Sequence, residues 1–408
     1  MKMDILKSVL MISHSNKSGG AARASERLYS CLLSNNQEVE FVVASKSSVD
    51  SGVRKLNLYR SLLCSIYSRV DFKICKFLDP HNSEWQSGAF IGSLSARFIN
   101  KSKFDVVNLH WLGHGLISLR QMRKITKPIV WTLHDEWSIH AISHYPETNF
   151  NKSNRNPLSR KLSEMVKQNR IKQKKLFLSQ NNVFLVSLSN EMAAKLVAKF
   201  PAKKDKIFIV ANPVDLTKFH PAIEKNNENK FISQNNKPLV LFLGGTQDKR
   251  KGWDLLERAL DYTKSPFTLI VIGGLSKKQL GKNNDIDIIA IEKISNINSL
   301  RRLYVSSHVV IVPSRVEGLP QTATEALSCG TPVVGFKIGG LLDIVINNQT
   351  GFLAKPFDTK ELGLAIDNIV NLEKSNFISY CRTMAEDNFS FEAVSFKYNR
   401  VFSQAINI

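Results

Sequence analysis

The sequence predicts an α/β fold made of two doubly wound, Rossmann-like domains, and three observations lead to it. Strand-length apolar runs rich in valine and isoleucine recur along the chain, amphipathic stretches separate them, and an asparagine-rich polar segment at 224–237 divides them into two groups. Runs that are apolar throughout are typical of strands buried on both faces of a parallel sheet. Their alternation with helical patterns predicts βαβ units, with ligands at the carboxyl ends of the strands.

Each expected element follows from one such stretch. In the first half, the expected strands are 8–13, 40–44, 104–110, 128–134, 183–189 and 206–211, with helices at 21–33 and 191–200. In the second half, the expected strands are 239–243, 267–272, 286–291, 308–312 and 332–336. We therefore expect two domains facing each other across a cleft: a first domain at 1–215, a polar linker at 216–237, a second domain at 238–385, and a C-terminal helix at 386–408 that packs back on the first domain.

The composition is that of an ordinary globular protein. Of 408 residues, 43% are apolar and 22% are charged, which suits two or three domains and excludes fibrous repeats and wholesale disorder. No apolar run approaches the ~18 residues of a membrane-spanning helix, and the short run near the N-terminus has the wrong flanks for a signal peptide. Five scattered cysteines without CxxC spacing predict a cytoplasmic protein with no disulfide framework and no zinc site.

The charge is strongly positive and unevenly distributed. Lysine and arginine number 56 against 35 aspartates and glutamates, a net charge of +21. Residues 1–215 hold 33 basic and 16 acidic residues, whereas residues 216–408 hold 23 and 19. A positive field confined to one domain indicates an anionic partner, which could be a phosphorylated substrate, a nucleic acid or a membrane surface. The densest stretch, 151–178, has nine basic residues against Glu164 alone, although a solvated helix face would give the same pattern.

A cationic loop follows the first strand of the second half. It contains Gly245 and then Lys249, Arg250 and Lys251 before a glycine and a helix. This arrangement is suited to clamping a phosphate, although it could also be a solvated charged loop.

Two carboxylates follow the strand at 308–312. Glu317 lies in the loop and Glu325, after seven intervening residues, lies in a helix for which Pro320 is placed as the first residue. Carboxylates accept hydrogen bonds from sugar and ribose hydroxyls, and the N–H groups around Gly318 and Leu319 are suited to an anion. The alternative is a capping role for Glu317 and a surface position for Glu325.

Two strand ends of the first half carry further candidates. Gly19 and Gly20 form a strand-to-helix turn where backbone N–H groups can approach an anion, or simply a tight turn. His134 and Asp135 follow the strand at 128–134. The imidazole can donate a hydrogen bond into a cleft and the carboxylate can bind a hydroxyl, but a lone histidine can also be a packed core residue.

The neighbourhood of His134 is rich in aromatic residues. Trp111 and Trp137 make a sugar-stacking wall plausible, and His140 and His144 stand four residues apart. We expect no metal there, because no third ligand stands at a suitable spacing. We interpret the DXD string at 285–287 as chance, since it precedes a strand instead of following one.

Over nearly its full length the chain resembles a retaining GT-B glycosyltransferase of family 4. The residues that carry the resemblance are Gly19-Gly20, Thr132-Leu133-His134, Asn212-Pro213-Val214-Asp215 with Phe219 and Pro221, Lys251-Gly252, and the EX7E motif Glu317…Glu325 followed by CGTPVV. His110-Trp111 and His134-Asp135-Glu136-Trp137 are similar to the subgroup that builds bacterial exopolysaccharide and O-antigen units.

The resemblance implies a role for each matching residue. Glu317 contacts hydroxyls of the donor sugar, Glu325 holds the nucleotide ribose, and Lys251 neutralises the diphosphate. Gly20, with Gly19, lines the diphosphate, and His134 sits beside the transferred sugar. The expected catalytic residues are His134, Glu317 and Lys251, and the expected donor-binding residues also include Gly318 and Leu319.

The sequence departs from the family at two points. The family usually has an arginine six residues before the lysine, but Gly245 stands there, so we expect Arg250 or Arg315 to supply that charge. The subgroup often carries cysteines after the HD motif, and this chain has none between Cys75 and Cys329.

We therefore expect retaining transfer of a hexosyl group from a nucleotide diphosphate sugar to a lipid-linked saccharide, without a metal or other cofactor. The basic first domain would bind the acceptor at the anionic inner face of the plasma membrane. Contacts to the acceptor or the membrane are expected from Trp111, Asp135, Trp137, Lys161, Arg170, Lys174 and Lys175.

Two alternatives remain open. A nucleotide-sugar epimerase or hydrolase of the same fold would leave the basic first domain unexplained. A nucleic-acid-binding protein would explain the charge, but the aromatic residues do not interleave with the basic run and no known nucleic-acid-binding signature occurs, so we expect no nucleic-acid partner.

Overall fold

A computed structural model describes residues 8–16, 19–46, 52–80, 85–145, 156–222, 237–274 and 285–407. The chain forms two compact units, one of Met1–Val210 with Val394–Ile408 and the other of Ala211–Ala393. Each unit is built on one parallel sheet. Most of the expected linker at 216–237 lies outside the described residues.

The first unit contains a seven-stranded sheet of order β3-β2-β1-β4-β5-β6-β7. All its neighbouring strands are parallel, with Val9 opposite Val39 and Val107 opposite Ile129. Its strands are β1 (Val9–Ser15), β2 (Val39–Ser45), β3 (Arg54–Lys55), β4 (Val106–Leu109), β5 (Ile129–Leu133), β6 (Val183–Ser187) and β7 (Ile207–Ile209).

Six α-helices of the first unit lie between these strands along the chain. They are α1 (Gly20–Ser34), α2 (Leu58–Leu78), α3 (Ala96–Asn100), α4 (Leu119–Met122), α5 (Pro157–Leu178) and α6 (Asn190–Lys199). Side chains cap the starts of several: Asn57 Oδ1 accepts from the N–H of Arg60 at α2, and Ser189 Oγ accepts from the N–H of Met192 at α6. Strands β4, β5 and β6 are buried throughout and form the centre of the core.

The second unit contains a six-stranded parallel sheet of order β10-β9-β8-β11-β12-β13. Its strands are β8 (Leu239–Leu243), β9 (Phe267–Ile272), β10 (Ile286–Ile291), β11 (Val309–Val312), β12 (Val333–Phe336) and β13 (Gly351–Ala354). Its helices are α7 (Trp253–Leu260), α8 (Ile297–Ser306), α9 (Gln321–Ser328), α10 (Leu341–Ile344), α11 (Thr359–Val370) and α12 (Ser375–Phe389).

The last helix, α13 (Phe391–Ile406), leads from the second unit to the first, because residues from Val394 onward group with the first unit. There, the hydroxyl of Tyr398 lies 3.0 Å from Thr132 Oγ1 on β5, and both side chains are buried. This contact ties α13 to the central strands of the first sheet.

The predicted pair of Rossmann-like sheets is confirmed. All eleven expected strands are present, and 239–243, 267–272 and 286–291 have the expected bounds. The prediction missed β3, which consists of two charged residues, and β13, whose sequence Gly-Phe-Leu-Ala contains no valine or isoleucine. Pro320 is the residue before α9 and not its first residue, and Gly330, with φ +72°, follows the end of that helix.

Within the described residues, we find no helix with both the length and the apolar character needed to cross a membrane.

Candidate active site

In the second unit, a lysine and a glutamate from two adjacent strands meet at the carboxyl end of the sheet. Lys251 follows β8, Glu317 follows β11, and Lys251 Nζ lies 2.6 Å from Glu317 Oε1. Ser314 Oγ donates to the same carboxylate oxygen at 2.8 Å. The two charged side chains are 29% and 12% exposed. The pair is therefore partly shielded from water but accessible to a ligand.

Glycines permit the close approach of the loops that carry this pair. Gly252 has φ +71°, and a Cβ there would lie 1.9 Å from the carbonyl oxygen of Pro313. Gly339 has φ +54°, and a Cβ there would lie 1.9 Å from the carbonyl oxygen of Glu317. Since neither backbone oxygen can move far, these positions require glycine. The N–H of Gly340 also donates to the Gly318 carbonyl at 2.8 Å, which fixes the loop.

Glu325 is held on α9. Its side chain is buried, which rules out the surface position that we considered as an alternative, and its Oε2 accepts a hydrogen bond from the Tyr304 hydroxyl at 2.8 Å. In the preceding loop, the backbone N–H groups of Gly318 and Leu319 have no acceptor among the described residues. Such N–H groups are available to an anionic ligand.

The two arginines expected to replace the missing cation are both paired with carboxylates. Arg250 forms a two-pronged contact with Asp248, at 3.1 and 2.6 Å. Arg315 does the same with Asp254, at 2.7 and 2.6 Å. Each guanidinium is thus locally neutralised by a carboxylate.

The backbone conformation at Gly245 favours glycine. Gly245 has φ +68°, and a Cβ there would lie 3.0 Å from the carbonyl oxygen of Gly273 at the end of β9. An L-residue would be strained in that conformation and crowded by the neighbouring backbone.

In the first unit, Gly19 precedes α1 with φ +91°, and no atom lies within 4 Å of where its Cβ would be. Gly19 and Gly20 are both exposed. The turn therefore leaves open space in front of the start of α1, a 15-residue helix whose first turn has no acidic residue.

His134, at the end of β5, is hydrogen-bonded to a second histidine. Its Nε2 lies 3.0 Å from Nδ1 of His110, and His110 Nε2 lies 2.8 Å from Asn108 Oδ1. Burial lowers the pKa of His134 to about 4, against a smaller opposing effect of Asp135. Burial, and then the neighbouring His134, hold the pKa of His110 well below its ordinary value. Both imidazoles are therefore neutral at pH 7.

Asp135 is engaged by its neighbours. Its Oδ2 lies 2.6 Å from His144 Nδ1 and accepts a hydrogen bond from Trp111 Nε1 at 3.1 Å. Burial acts to raise the pKa of Asp135, but the His144 ring and the Trp137 N–H outweigh it and hold that pKa below its usual range. The carboxylate is therefore ionised and positions the partly exposed Trp111 ring.

Two of the expected acceptor or membrane contacts are wrong. Trp137 is 3% exposed and its Nε1 donates to the Ser87 carbonyl at 2.7 Å, so its ring belongs to the core. Lys174 is 1% exposed, with Nζ above the Trp137 ring and donating to the carbonyls of Trp137 and His140. Burial holds the pKa of Lys174 well below its ordinary value. A side chain enclosed in this way cannot contact a membrane.

The other cations of α5 are placed differently. Lys161 and Lys175 are exposed, and Arg170 is half-buried with its guanidinium 4.8 Å from the centre of the Phe90 ring. The first part of the basic stretch, residues 151–155, lies outside the described residues.

The sequence analysis missed four side chains that contribute to the site. Asn108, Ser314 and Tyr304 bind candidate residues directly, and His114 packs on Trp111 with ring centres 4.6 Å apart. Of these four, only Asn108 could have been identified from the sequence, because it is a polar residue inside a buried apolar strand. Among the described residues, no three histidine, cysteine or acidic side chains form a metal-ligand set.

Comparison with known proteins agrees with this architecture. Residues 18–218 match the family model described as Glycosyltransferase Family 4, and residues 224–384 match the model described as Glycosyl transferases group 1. The structure of HepE from Anabaena in complex with UDP superposes with a TM-score of 0.64 at 14% identity, covering 97% of this chain and 100% of that one. The chain belongs to the GT-B glycosyltransferases.

This glycosyltransferase has further relatives of two kinds. WaaG, a glycosyltransferase involved in lipopolysaccharide biosynthesis, has a TM-score of 0.59 at 14% identity, covering 97% of this chain and 99% of that one. A D-inositol 3-phosphate glycosyltransferase of Xylanimonas cellulosilytica is 31% identical over 192 residues, which are 43% of this chain and 45% of the relative. The chain spans about half the length of several curated relatives that it matches.

Proposed function

We propose that this protein transfers a hexosyl group, with retention of configuration, from a nucleoside diphosphate sugar to a lipid-linked saccharide at an anionic membrane surface. The part of this proposal that concerns the sugar donor, the donor half, rests on one contact. Lys251 Nζ lies 2.6 Å from Glu317 Oε1. An ammonium group has three donors, so Lys251 can hold Glu317 and still donate to a phosphate oxygen. The solved complex of HepE with UDP supports a nucleoside diphosphate as the leaving group.

The chemistry places growing negative charge on the departing phosphate. Lys251 and the N–H groups of Gly318 and Leu319 would stabilise that charge in the transition state. Glu317 would accept hydrogen bonds from hydroxyls of the donor sugar, and Glu325 from the ribose. The leaving phosphate would take the proton of the attacking acceptor hydroxyl on the same face, so the reaction needs no covalent nucleophile.

A panel of UDP-, GDP-, ADP- and TDP-sugars in a thermal-shift assay tests the donor half. One donor should raise the melting temperature by mass action. Glu325→Gln should abolish most of the shift, because an amide is a poorer acceptor than a carboxylate. Tyr262→Phe, at an exposed tyrosine of the second unit outside the site, should keep the shift. If no nucleotide sugar changes the melting temperature, the donor half is wrong.

The membrane half rests on α2 and α5 of the first unit. Leu58, Leu62 and Ile66 recur every four residues on α2 and are 83%, 58% and 45% exposed. The one acidic residue of α2, Asp71, is buried on the other side. The exposed cations of the same face are Arg69, Lys73 and Lys76.

Helix α5 packs against α2. Ser163 Oγ of α5 donates to the Leu78 carbonyl at the end of α2, and Lys167 Nζ lies 3.0 Å from Asp79. Beside these contacts α5 exposes the apolar side chains Leu158, Leu162 and Met165 and the cations Arg160, Lys161, Lys172 and Lys175. We call this the α2–α5 surface. Exposed apolar groups flanked by cations suit the interface of an anionic lipid bilayer.

Vesicle flotation tests the membrane half. The protein should float with phosphatidylglycerol vesicles at low salt and not with phosphatidylcholine vesicles. Ile66→Glu should abolish flotation. Leu364→Glu on α11 is the matched control, since Leu364 is also 45% exposed but lies in the second unit. Equal loss in both variants, or no flotation of the unmodified protein at any salt, would contradict the membrane half.

The named relatives favour a second candidate acceptor, an inositol phosphate. This acceptor is also anionic and would suit the basic first unit, but it is water-soluble. Transfer to inositol phosphate in the absence of vesicles would establish it, whereas transfer only in the presence of a lipid-linked saccharide would exclude it.

A further inference from the structure

A chain of buried hydrogen bonds lies behind His134. Asn108 on β4 is fully buried, and its Nδ2 donates to the Val130 carbonyl at 2.9 Å and to Thr132 Oγ1 at 3.1 Å. Its Oδ1 lies 2.8 Å from His110 Nε2, and His110 Nδ1 lies 3.0 Å from His134 Nε2. The imidazole planes of the two histidines are inclined by 26°, with ring centres 5.3 Å apart.

The main chain determines which way the Asn108 amide points. A backbone carbonyl can only accept a hydrogen bond, so the amide atom that faces Val130 must be the NH2 group. The atom that faces His110 is then the amide oxygen, which is also only an acceptor. His110 must therefore carry a proton on Nε2.

The position of that proton determines the state of the next ring. His110 is neutral, because burial holds its pKa well below the ordinary value, so a proton on Nε2 leaves Nδ1 as an acceptor. His134 must then donate from Nε2. Since burial also keeps His134 neutral, its Nδ1 carries no proton.

We propose that Asn108 and His110 are positioning residues that hold His134 in the Nε2–H tautomer, so that its Nδ1 accepts a hydrogen bond from a hydroxyl of a sugar substrate. The proposal rests on the proposed function for the identity of the ligand. Among the described residues, no group hydrogen-bonds to the Nδ1 of His134. His134 is half-buried and its Nδ1 is not among the buried polar atoms that lack a partner, so a ligand can reach that nitrogen.

The tautomer decides what the site can recognise. A bare Nδ1 binds an O–H group, whereas the other tautomer would place an N–H there and bind an oxygen that carries no proton. Without the contact to His110, His134 would be free to exchange between these two states. In part of the molecules, the sugar hydroxyl would then face an N–H group where it needs a hydrogen-bond acceptor.

Two substitutions change the tautomer in a predictable way. In Asn108→Asp, a carboxylate beside His110 favours the doubly protonated ring, which would donate from Nδ1 to His134 and move the His134 proton to its own Nδ1. In His110→Asn, the amide oxygen takes the place of the ring Nδ1 and can still accept from His134 Nε2. His110→Phe offers no acceptor, so His134 can exchange between its two tautomers.

Nitrogen NMR of histidine side chains reads the tautomer without any substrate. The chain has nine histidines, and His134→Gln identifies the His134 signals. At pH 7, His134 should show a protonated Nε2 and a bare Nδ1, in the unmodified protein and in His110→Asn. Asn108→Asp should reverse the pattern and His110→Phe should average it. A protonated Nδ1 in the unmodified protein overturns the proposal.

Kinetics with the nucleotide sugar found in the thermal-shift panel test the consequence. His110→Phe should lower kcat by about tenfold, as expected for a lost hydrogen bond in a desolvated site, while the Kd for the free nucleoside diphosphate stays within about twofold. His110→Asn should recover most of kcat. Tyr398→Phe, at the far end of the chain of hydrogen bonds, should change neither kcat nor the NMR pattern.

The outcomes separate this inference from the proposed function. If the NMR pattern is as expected but no nucleotide sugar is a donor, the proposed function fails, and with it the assignment of the ligand. If transfer occurs and His110→Phe retains full kcat, the positioning role fails while the proposed function stands. Should Asn108→Asp not fold, the pair of His110 variants still decides the question.

Discussion

Acidification from pH 7 to pH 5 should destabilise the first unit through its buried imidazoles. Burial lowers the pKa of His14, His114 and His134 from 6.5 to about 4 each, and the ring of His14 adds to the effect on His114. Because these pKa values are depressed in the folded state, the unfolded chain binds protons first. The stability that the neutral rings contribute is fully present above about pH 6.5 and is lost as the pH falls toward 4.

The size of the effect follows from proton linkage. For one imidazole with a pKa of 6.5 unfolded and about 4 folded, the loss at pH 5 is about 2 kcal/mol. Three such groups sum to about 6 kcal/mol, a large part of the 5–15 kcal/mol that stabilises a typical domain, and the burial of His110 acts in the same direction. Asp71 works in the opposite direction, since burial raises its pKa and its protonation favours the folded state. We therefore expect a net loss of about 3–5 kcal/mol.

Urea unfolding followed by tryptophan fluorescence measures this loss, because four of the five tryptophans, at positions 85, 111, 131 and 137, belong to the first unit. The midpoint should fall steeply between pH 7 and pH 5 with little change in slope. His114→Asn should reduce the pH-dependent loss by about 2 kcal/mol, whereas Tyr398→Phe, which removes no group that titrates in this range, should leave it unchanged. A loss below about 1 kcal/mol in the unmodified protein would refute the reasoning.

Three further predictions concern single side chains. Lys251→Met should weaken nucleoside diphosphate binding by about 10–100-fold in calorimetry, because a charged hydrogen bond contributes about 1.5–3 kcal/mol; unchanged affinity would mean that Lys251 does not bind the phosphates. Gly339→Ala should destabilise the second unit by more than about 2 kcal/mol in urea and abolish transfer, since the new Cβ would collide with the Glu317 carbonyl; a stable, active variant would contradict the geometry. Lys174→Met should destabilise the first unit by about 2–5 kcal/mol because two buried carbonyls lose their donor, whereas the exposed neighbour Lys175→Met should change stability by less than about 0.5 kcal/mol; equal effects would show that Lys174 is not enclosed.

The fold was predictable because its signal is local. Apolar runs such as 239–243 and 267–272 end where the strands end, and the polar residues that follow them stand at the carboxyl edge of the sheet. The meeting of Lys251 and Glu317 was predictable for the same reason. They are 66 residues apart in sequence, but they follow β8 and β11, which are neighbours in the sheet.

The side chains that were not predicted correctly are those whose role depends on which face of a helix or strand points into the core. Helix α5 is basic on several sides, and nothing in its sequence distinguishes the enclosed Lys174 from the exposed Lys175. Trp137 was expected to stack on a sugar, but a tryptophan packs equally well in a core. The contacts of Asn108 depend on the register between β4 and β5, which pairs Asn108 with Val130, and hydrophobic pattern alone does not give that register.

The placement of α13 has a consequence for how the protein is made. The first unit consists of residues up to Val210 together with residues from Val394 onward, so the whole second unit is synthesised between its two parts. During translation, β5 emerges early, while Tyr398, the hydrogen-bond partner of Thr132, emerges only after Ala393. The nascent first unit therefore stays incomplete, with the surface that binds α13 uncovered, while the second unit can already fold.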